Sequence, residues 1–150
     1  MSSIDTGKVI AGGVLAGVVL AGFDYVSKNY VLAKDWQNVA QVHNIDMALT
    51  GQTSAMLTFI AVDFVLGLLV VFTYAAIRPR FGPGIGTAAI AAFMLFLTSA
   101  LVNATLAGVL YPWDLYIRST ALGLAAFLVA GVAGAWVYSE KAEEEEDSGM

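Results

Sequence analysis

The chain has 150 residues, of which 59% are hydrophobic and 13% are charged, and this composition argues against a soluble protein. Its net charge of −5 comes from residues 140–147, because residues 1–139 contain six acidic and six basic side chains. The body of the protein therefore offers no basic surface of the kind that nucleic acid binding requires.

The first apolar stretch follows Lys8 and predicts a membrane-spanning helix over residues 7–30, with Asp5 or Thr6 as its N-cap. Its length also suits the hydrophobic part of a signal peptide, but we expect it to remain as an uncleaved helix. Residues 35–50 then change in character and predict a short amphipathic helix on the membrane surface, with an irregular loop as the alternative. The residues that recur there at helical spacing are Trp36, Val39, Ala40, His43 and Met47.

Three further apolar stretches predict spans over residues 54–77, 85–110 and 115–138. Each is long enough for a hydrocarbon core about 30 Å thick, which needs about 20 helical residues. We expect the second span to stop before Pro79, which disfavours helical backbone at the preceding residue. Residues 140–150 are expected to form an acidic, disordered tail. The predicted fold is all-α, an integral membrane four-helix antiparallel bundle over residues 1–139 with a surface helix between helices 1 and 2.

The distribution of lysine and arginine predicts the orientation, because positive residues in short loops are retained in the cytoplasm. The turn between helices 2 and 3 holds Arg78 and Arg80 without an acidic residue. We therefore expect a protein of the bacterial cytoplasmic (inner) membrane with both termini in the cytoplasm. Lys8, Arg78, Arg80 and Lys141 would lie inside, and Lys28, Lys34 and Arg118 outside.

Stripes of small residues predict where the helices pack. Apolar helices gain little from burial against one another in lipid, so they associate through close backbone approach and polar contacts. The predicted packing residues lie on helices 1, 2 and 4, and they are Gly13, Gly17, Gly67, Ala130 and Gly134. A remaining stripe would equally permit self-association.

Polar side chains within the spans form the first candidate site. Asp63 lies near the middle of helix 2, where a carboxylate costs about 2.5–3.5 kcal/mol on insertion scales. Asp24 and Asn103 fall at comparable depth, so we predict an intramembrane cluster of Asp24, Asp63 and Asn103. Such a cluster can be a proton or cation site, or a network of hydrogen bonds that orients the bundle. Lys28 and Arg118 could reach it or extend to the lipid headgroups.

Other chemistry is poorly represented in the sequence. The chain has no cysteine and a single histidine, His43, so we predict no metal site and no catalytic residue. His43 could ligate a haem or a pigment, but a solvated or capping role is the simpler interpretation. No cofactor is predicted, and a bound lipid or hydrophobic cofactor stays open. Arg78, Arg80, Trp36 and Trp113 are predicted lipid or partner contacts.

The turn between helices 2 and 3 reads Tyr-Ala-Ala-Ile-Arg-Pro-Arg-Phe-Gly-Pro-Gly over residues 74–84. Together with Val-Leu-Ala-Lys-Asp-Trp over residues 31–36, it resembles a group of small, uncharacterised four-span bacterial membrane proteins. The resemblance covers roughly residues 8–138. It implies a bacterial four-helix architecture and transfers no activity and no site residue, since the group has no assigned activity.

These features lead us to expect a non-catalytic accessory or structural subunit of a larger bacterial membrane protein complex. Its partners would be membrane lipids and other membrane protein subunits, or further copies of the same chain. One alternative is a small transporter, channel or proton- or cation-handling protein that uses the three polar residues of the cluster. Another is a membrane protein that binds lipid, quinone or pigment.

Overall fold

A computed structural model of the chain describes residues 4–46 and 52–149, without the side chains of residues 140–148. The described part is all-α, and a π-helical turn over Ser27–Val31 joins its first two helices. The helices are α1 Thr6–Val26, α2 Ala33–Val42, α3 Thr53–Phe81, α4 Ile85–Ala104 and α5 Trp113–Ser148. Four segments are long and apolar enough to cross a membrane, namely Thr6–Val31, Thr53–Phe81, Ile85–Ala104 and Trp113–Ser139. The predicted four-span fold with a short helix after the first span is confirmed.

The beginning and end of the first span follow from local hydrogen bonding. The Asp5 carboxylate caps α1 by accepting the backbone N–H of Lys8 at 3.1 Å, and this bond lowers the pKa of Asp5. At the other end the N–H of Leu32 donates to the carbonyl of Ser27 at 2.8 Å. This wider turn ends the span, and α2 begins at Ala33. Met47, at the end of the predicted surface helix, lies outside the described residues.

Two helix ends differ from the sequence prediction. Helix α3 continues through Pro79 to Phe81 and ends where Gly82 adopts a φ of 82°. Helix α4 ends at Ala104, six residues before the predicted position, because Gly108 has a φ of 79° and its N–H donates to the carbonyl of Tyr111 at 2.8 Å. These positive φ values suit glycine and interrupt helical backbone.

The last helix also differs from expectation, because its backbone stays helical to Ser148 through the segment that we expected to be disordered. Glutamate, lysine and alanine fill residues 140–146, and all three are strong helix formers. The interruption comes only at Gly149, so the acidic segment extends α5 beyond its apolar part.

Glycines bring α1 into close contact with α3 and α5. A methyl group on Gly67 would lie 2.4 Å from the backbone nitrogen of Gly17 and 2.6 Å from the carbonyl oxygen of Gly13. On a neighbouring face of α1, a methyl group on Gly12 would lie 2.5 Å from the carbonyl oxygen of Gly134. At such distances only glycine lets the backbones approach, as in other membrane helix pairs.

The four spans form a bundle in which α3 and α5 each contact both α1 and α4. We call the end of the bundle that carries α2 and residues 105–112 the α2 end, and the opposite end, which carries Thr6 and the α3–α4 turn, the terminal end. The main hydrophobic core lies toward the terminal end, where its largest fully buried side chains are Tyr74, Val70 and Val71. Ala130, a predicted packing residue, is also completely buried in this core.

Candidate functional site

Helix α2 is fixed to the bundle by contacts with α5 and with the α4–α5 connection. Asp35 accepts two hydrogen bonds from the Arg118 guanidinium, each 3.1 Å long. His43 donates from Nε2 to the carbonyl oxygen of Leu110 at 2.7 Å. The Trp36 ring meets the Tyr111 ring edge-on, with centroids 5.7 Å apart. Through these contacts the amphipathic helix α2 packs across part of this end of the bundle.

The contacts of α2 assign structural partners to two candidate residues. His43 uses one ring nitrogen in its bond to Leu110, which is a capping role for the connection. Arg118 also donates to Asp114 at 2.8 Å, so its guanidinium joins two carboxylates from different helices. Arg118 therefore stays at the α2 end and does not extend to Asp63.

Below α2, a lysine and two carboxylates lie close together in the spans. The ammonium of Lys28 lies 2.5 Å from the Asp24 carboxylate, one helical turn away, and 4.4 Å from the centre of the Phe59 ring. The charges of Asp24 and Lys28 both act on the Asp63 carboxyl of α3. Asp24 and Asp63 each lie about 27 Å from the terminal end of their helices, at 1.5 Å per residue. The structure thus brings two of the three predicted cluster residues together, with Lys28 between α1 and α3.

Asn103 does not join this cluster. Its side-chain amide donates to the carbonyl of Ser99 at 2.9 Å, one turn back on its own helix, and its side chain is exposed. The backbone carbonyl of Asn103 accepts the Tyr111 hydroxyl at 3.0 Å. Comparable depth was not enough for contact, because the face of α4 that carries Asn103 is turned away from the bundle interior.

The carboxylate of Asp63 lies near charged groups but lacks hydrogen-bond donors among the described residues. In the part of the chain that the structure describes, no side chain or backbone group donates a hydrogen bond to its carboxylate, which is partly buried. The neighbouring helix surface is also open, since no residue of α3 from Thr53 to Leu66 is buried, whereas five residues from Gly67 onward are. The α2 half of α3 is therefore less enclosed than its terminal half, although Phe64 packs against Gly17 of α1.

A small cavity lies between α1, α2 and α5. Its volume is about 60 Å³, enough for a few water molecules, since one water needs about 10–15 Å³. Asp24, Lys28 and Trp36 line it. The indole N–H of Trp36 is the buried side-chain polar atom without a hydrogen-bond partner among the described residues. The remaining lining residues are Phe23, Ser27, Leu32, Ser119, Leu122, Gly123 and Ala126.

The four predicted lipid or partner contacts lie at opposite ends of the bundle. Arg78 and Arg80 are at the terminal end, where the Arg78 guanidinium lies 5.7 Å from the centre of the Tyr138 ring and Arg80 is exposed. Trp113 is at the α2 end and more than half exposed. Trp36 is instead half-buried on the side of α2 that faces the bundle, where its ring contacts Tyr111 and lines the cavity.

Three important residues were not among the predicted site residues. Lys28 was expected only to reach the cluster or extend to the lipid headgroups, but its spacing of four residues from Asp24 also places both on one helix face. Gly12 lies beside the predicted Gly13, but the pattern alone did not indicate that α1 packs on two helices at once. Asp35 carried no signal, because its partner Arg118 is distant in sequence.

No family model, no curated protein and no solved structure matches this chain. The resemblance carried by the arginine turn is thus left without an identified family. The four spans that it implies are present in the structure.

Proposed function

We propose that this protein is a non-catalytic accessory or structural subunit of a larger membrane protein complex. The observation that carries the proposal is the unequal packing of α3. Its terminal half interlocks with α1 through Gly67, whereas Thr53–Leu66 contains no buried residue. Helix α3 is thus packed tightly at one end and exposes an open surface with the Asp63 carboxylate at the other. Such a surface is suited to bind another subunit.

We further propose that the protein lies in the bacterial cytoplasmic membrane with its termini in the cytoplasm. Arg78 and Arg80 at the terminal end support this orientation through the positive-inside rule. Cysteines introduced singly at Arg80 and at Val42 would test it with a membrane-impermeant thiol reagent, since the chain has no native cysteine. Labelling of intact cells at Val42 and not at Arg80 is expected, and the reverse pattern would refute the orientation.

The test of the subunit proposal is purification of the tagged full chain from its native membrane in mild detergent. We expect the same membrane protein or proteins to accompany it in a fixed ratio through size-exclusion chromatography. A chain that elutes alone, with lipid and detergent as its sole companions and with its helical content intact, would refute the proposal. Membranes from cells that express an untagged chain provide the control for adventitious binding.

A second candidate function, proton or cation handling, is favoured by the grouping of Asp24, Lys28 and Asp63 beside a cavity of about 60 Å³. Asn103 has no part in it, because its side chain bonds to its own helix. Proteoliposomes that contain the wild-type chain would show a pH- or cation-driven flux, and Asp63→Asn would abolish it. Equal flux in the two proteins, or none in either, would rule out this function.

Binding of a quinone or pigment receives no comparable support. The cavity is far smaller than pockets for such molecules, which measure about 300–1,000 Å³. Lipid contact along the exposed helix faces is expected of any multi-span protein and does not define a function.

A further inference from the structure

We propose that α3 from Thr53 to Leu66 receives a transmembrane helix of a partner protein, and that this helix carries a lysine or arginine at the depth of Asp63. This inference rests on the proposed subunit function and specifies the contact surface and the chemistry of the partner.

The segment Thr53–Leu66 exposes a large apolar area. Met56, Phe59, Val62 and Val65 are each more than half exposed, and they follow one another at intervals of three residues. Because an α-helix has 3.6 residues per turn, this spacing winds around the helix, so the segment exposes apolar side chains on more than one side. Lipid alone could cover an apolar surface, so the area by itself does not identify the occupant.

Asp63 lies well inside the span formed by α3. It lies four residues from Gly67, the middle residue of α3, which corresponds to about 6 Å along the helix axis. Lipid headgroups at either surface are too distant to donate to it. Carboxylates at this depth face protein or a water-filled cavity and pair with other groups.

The acidic and basic side chains around Asp63 are unequal in number. Lys28 is engaged by Asp24 at 2.5 Å and by the Phe59 ring at 4.4 Å. With two carboxylates and one ammonium, the group carries one uncompensated negative charge when all three are ionised. A lysine or arginine on the incoming helix would compensate that charge and supply the hydrogen bonds that the described residues do not give to Asp63.

The same charges argue against a second copy of this chain as the occupant. Two copies related by a twofold axis at this surface would bring two Asp63 carboxylates toward each other, with their lysines already engaged. Like charges within the membrane repel strongly, because the medium screens them poorly.

Site-specific photo-crosslinking in native membranes tests the proposal. Benzoylphenylalanine is placed at Val62 of the full chain, and at Val102 of α4 as a matched control. Both are exposed valines, at 51% and 62%, in the α2-end halves of spanning helices. After irradiation, the crosslinked peptides are identified by mass spectrometry. We expect Val62 to capture one transmembrane peptide that contains a lysine or arginine within two turns of the crosslinked position, and Val102 to capture lipid.

A charge exchange then tests the pairing itself. Asp63→Lys in the chain is expected to reduce the Val62 crosslink at least about tenfold, as for loss of one partner from a desolvated pair. Replacement of the partner's basic residue by aspartate should restore it. Asp63→Asn serves as a milder variant if Asp63→Lys does not fold, and its far-ultraviolet circular dichroism verifies the fold.

The possible results separate this inference from the proposed function. A crosslink to a second copy, to lipid alone or to a helix without a basic residue overturns the inference. If a stable complex purifies but is captured from Val102, the subunit function stands and the α3 surface is wrong. If no complex purifies and Val62 captures only lipid, both proposals fail.

Discussion

Arg118 of α5 holds Asp35 of α2 through two parallel hydrogen bonds, each 3.1 Å long. These residues are far apart in sequence, and their contact places α2 across the start of α5. Such two-pronged pairing requires the planar guanidinium, since a lysine ammonium cannot reproduce its geometry. The position of α2 over the cavity therefore depends on a contact between side chains as well as on its apolar residues.

The variant Arg118→Lys should loosen α2 while it keeps the charge at residue 118. We expect amide hydrogen exchange to become faster throughout Ala33–Val42 and to remain unchanged in α3 and α4. Lys34→Ala is the control, because that exposed residue lies on the same helix. Unchanged protection of α2 in Arg118→Lys would show that its apolar contacts are sufficient.

The variant Gly67→Leu should disrupt the contact between α1 and α3. Even a methyl group there would lie 2.4 Å from the backbone of Gly17, so the helices must separate. We expect a loss of about 1–3 kcal/mol or more in the free energy of unfolding, measured by detergent titration. Gly22→Ala is the control, because it meets nothing within 4 Å, and it should stabilise α1 by up to about 1 kcal/mol. Equal effects of the two substitutions would contradict the packing described above.

Gly108 should be sensitive to any side chain. Its φ is 79°, and an added methyl group would lie 2.7 Å from Nε1 of Trp113. Gly108→Ala is therefore expected to destabilise the α4–α5 connection by about 1 kcal/mol or more. Trp113 fluorescence should change with it. Gly86→Ala, at an open helical position, should keep or slightly raise the stability and leave the Trp113 signal near its wild-type value.

Substitutions of Trp36 can separate the contribution of its ring packing to stability from that of its indole N–H. Its buried N–H lacks a partner among the described residues, so Trp36→Phe removes a group that contributes no bond. We expect Trp36→Phe to unfold at nearly the wild-type detergent concentration, and Trp36→Ala to lose about 2 kcal/mol. If the phenylalanine variant were as unstable as the alanine variant, the indole N–H would have to be bonded, for example to water.

The capped start of α1 should respond to pH. The backbone N–H of Lys8 lowers the pKa of Asp5, so this carboxylate stabilises the folded helix above its usual pKa of 3.8. That stabilisation is lost as the pH falls through the lower, folded-state pKa. The amide resonance of Lys8 should therefore titrate with a midpoint below 3.8. Asp5→Asn should abolish the titration, and a midpoint above 3.8 would show that the cap does not form.

Hydropathy was sufficient to predict the four spans, because about 20 consecutive apolar residues have few alternatives to crossing a bilayer. The ends of α3 and α4 were less predictable. Pro79 predicted an early stop, but α3 continues past it without the backbone hydrogen bond that proline cannot donate, and it ends where Gly82 adopts a positive φ. For α4, the residues after Ala104 are apolar enough to continue the predicted span. Hydropathy therefore did not indicate the turn there, which depends on the positive φ of Gly108.

The candidate site was predictable in part. Asp24 and Asp63 share a depth and lie on faces that meet, so counting residues was enough to associate them. Asn103 shares their depth, but its rotation about α4 depends on how that helix packs on α3 and α5. The Asp35–Arg118 pair could not be predicted, since it depends on the path of the chain after the first span.

That path depends on the π-helical turn at Ser27–Val31. Such a turn accommodates one residue more than regular α-helical winding, and each residue of an α-helix rotates the chain by about 100°. A deletion of one residue there would swing Leu32 and Trp36 away from the cavity and separate Asp35 from Arg118. One extra residue in the π-helical turn thus sets the position of α2 relative to the bundle. The number of residues in the first span is thereby coupled to the placement of α2 over Asp24 and Lys28.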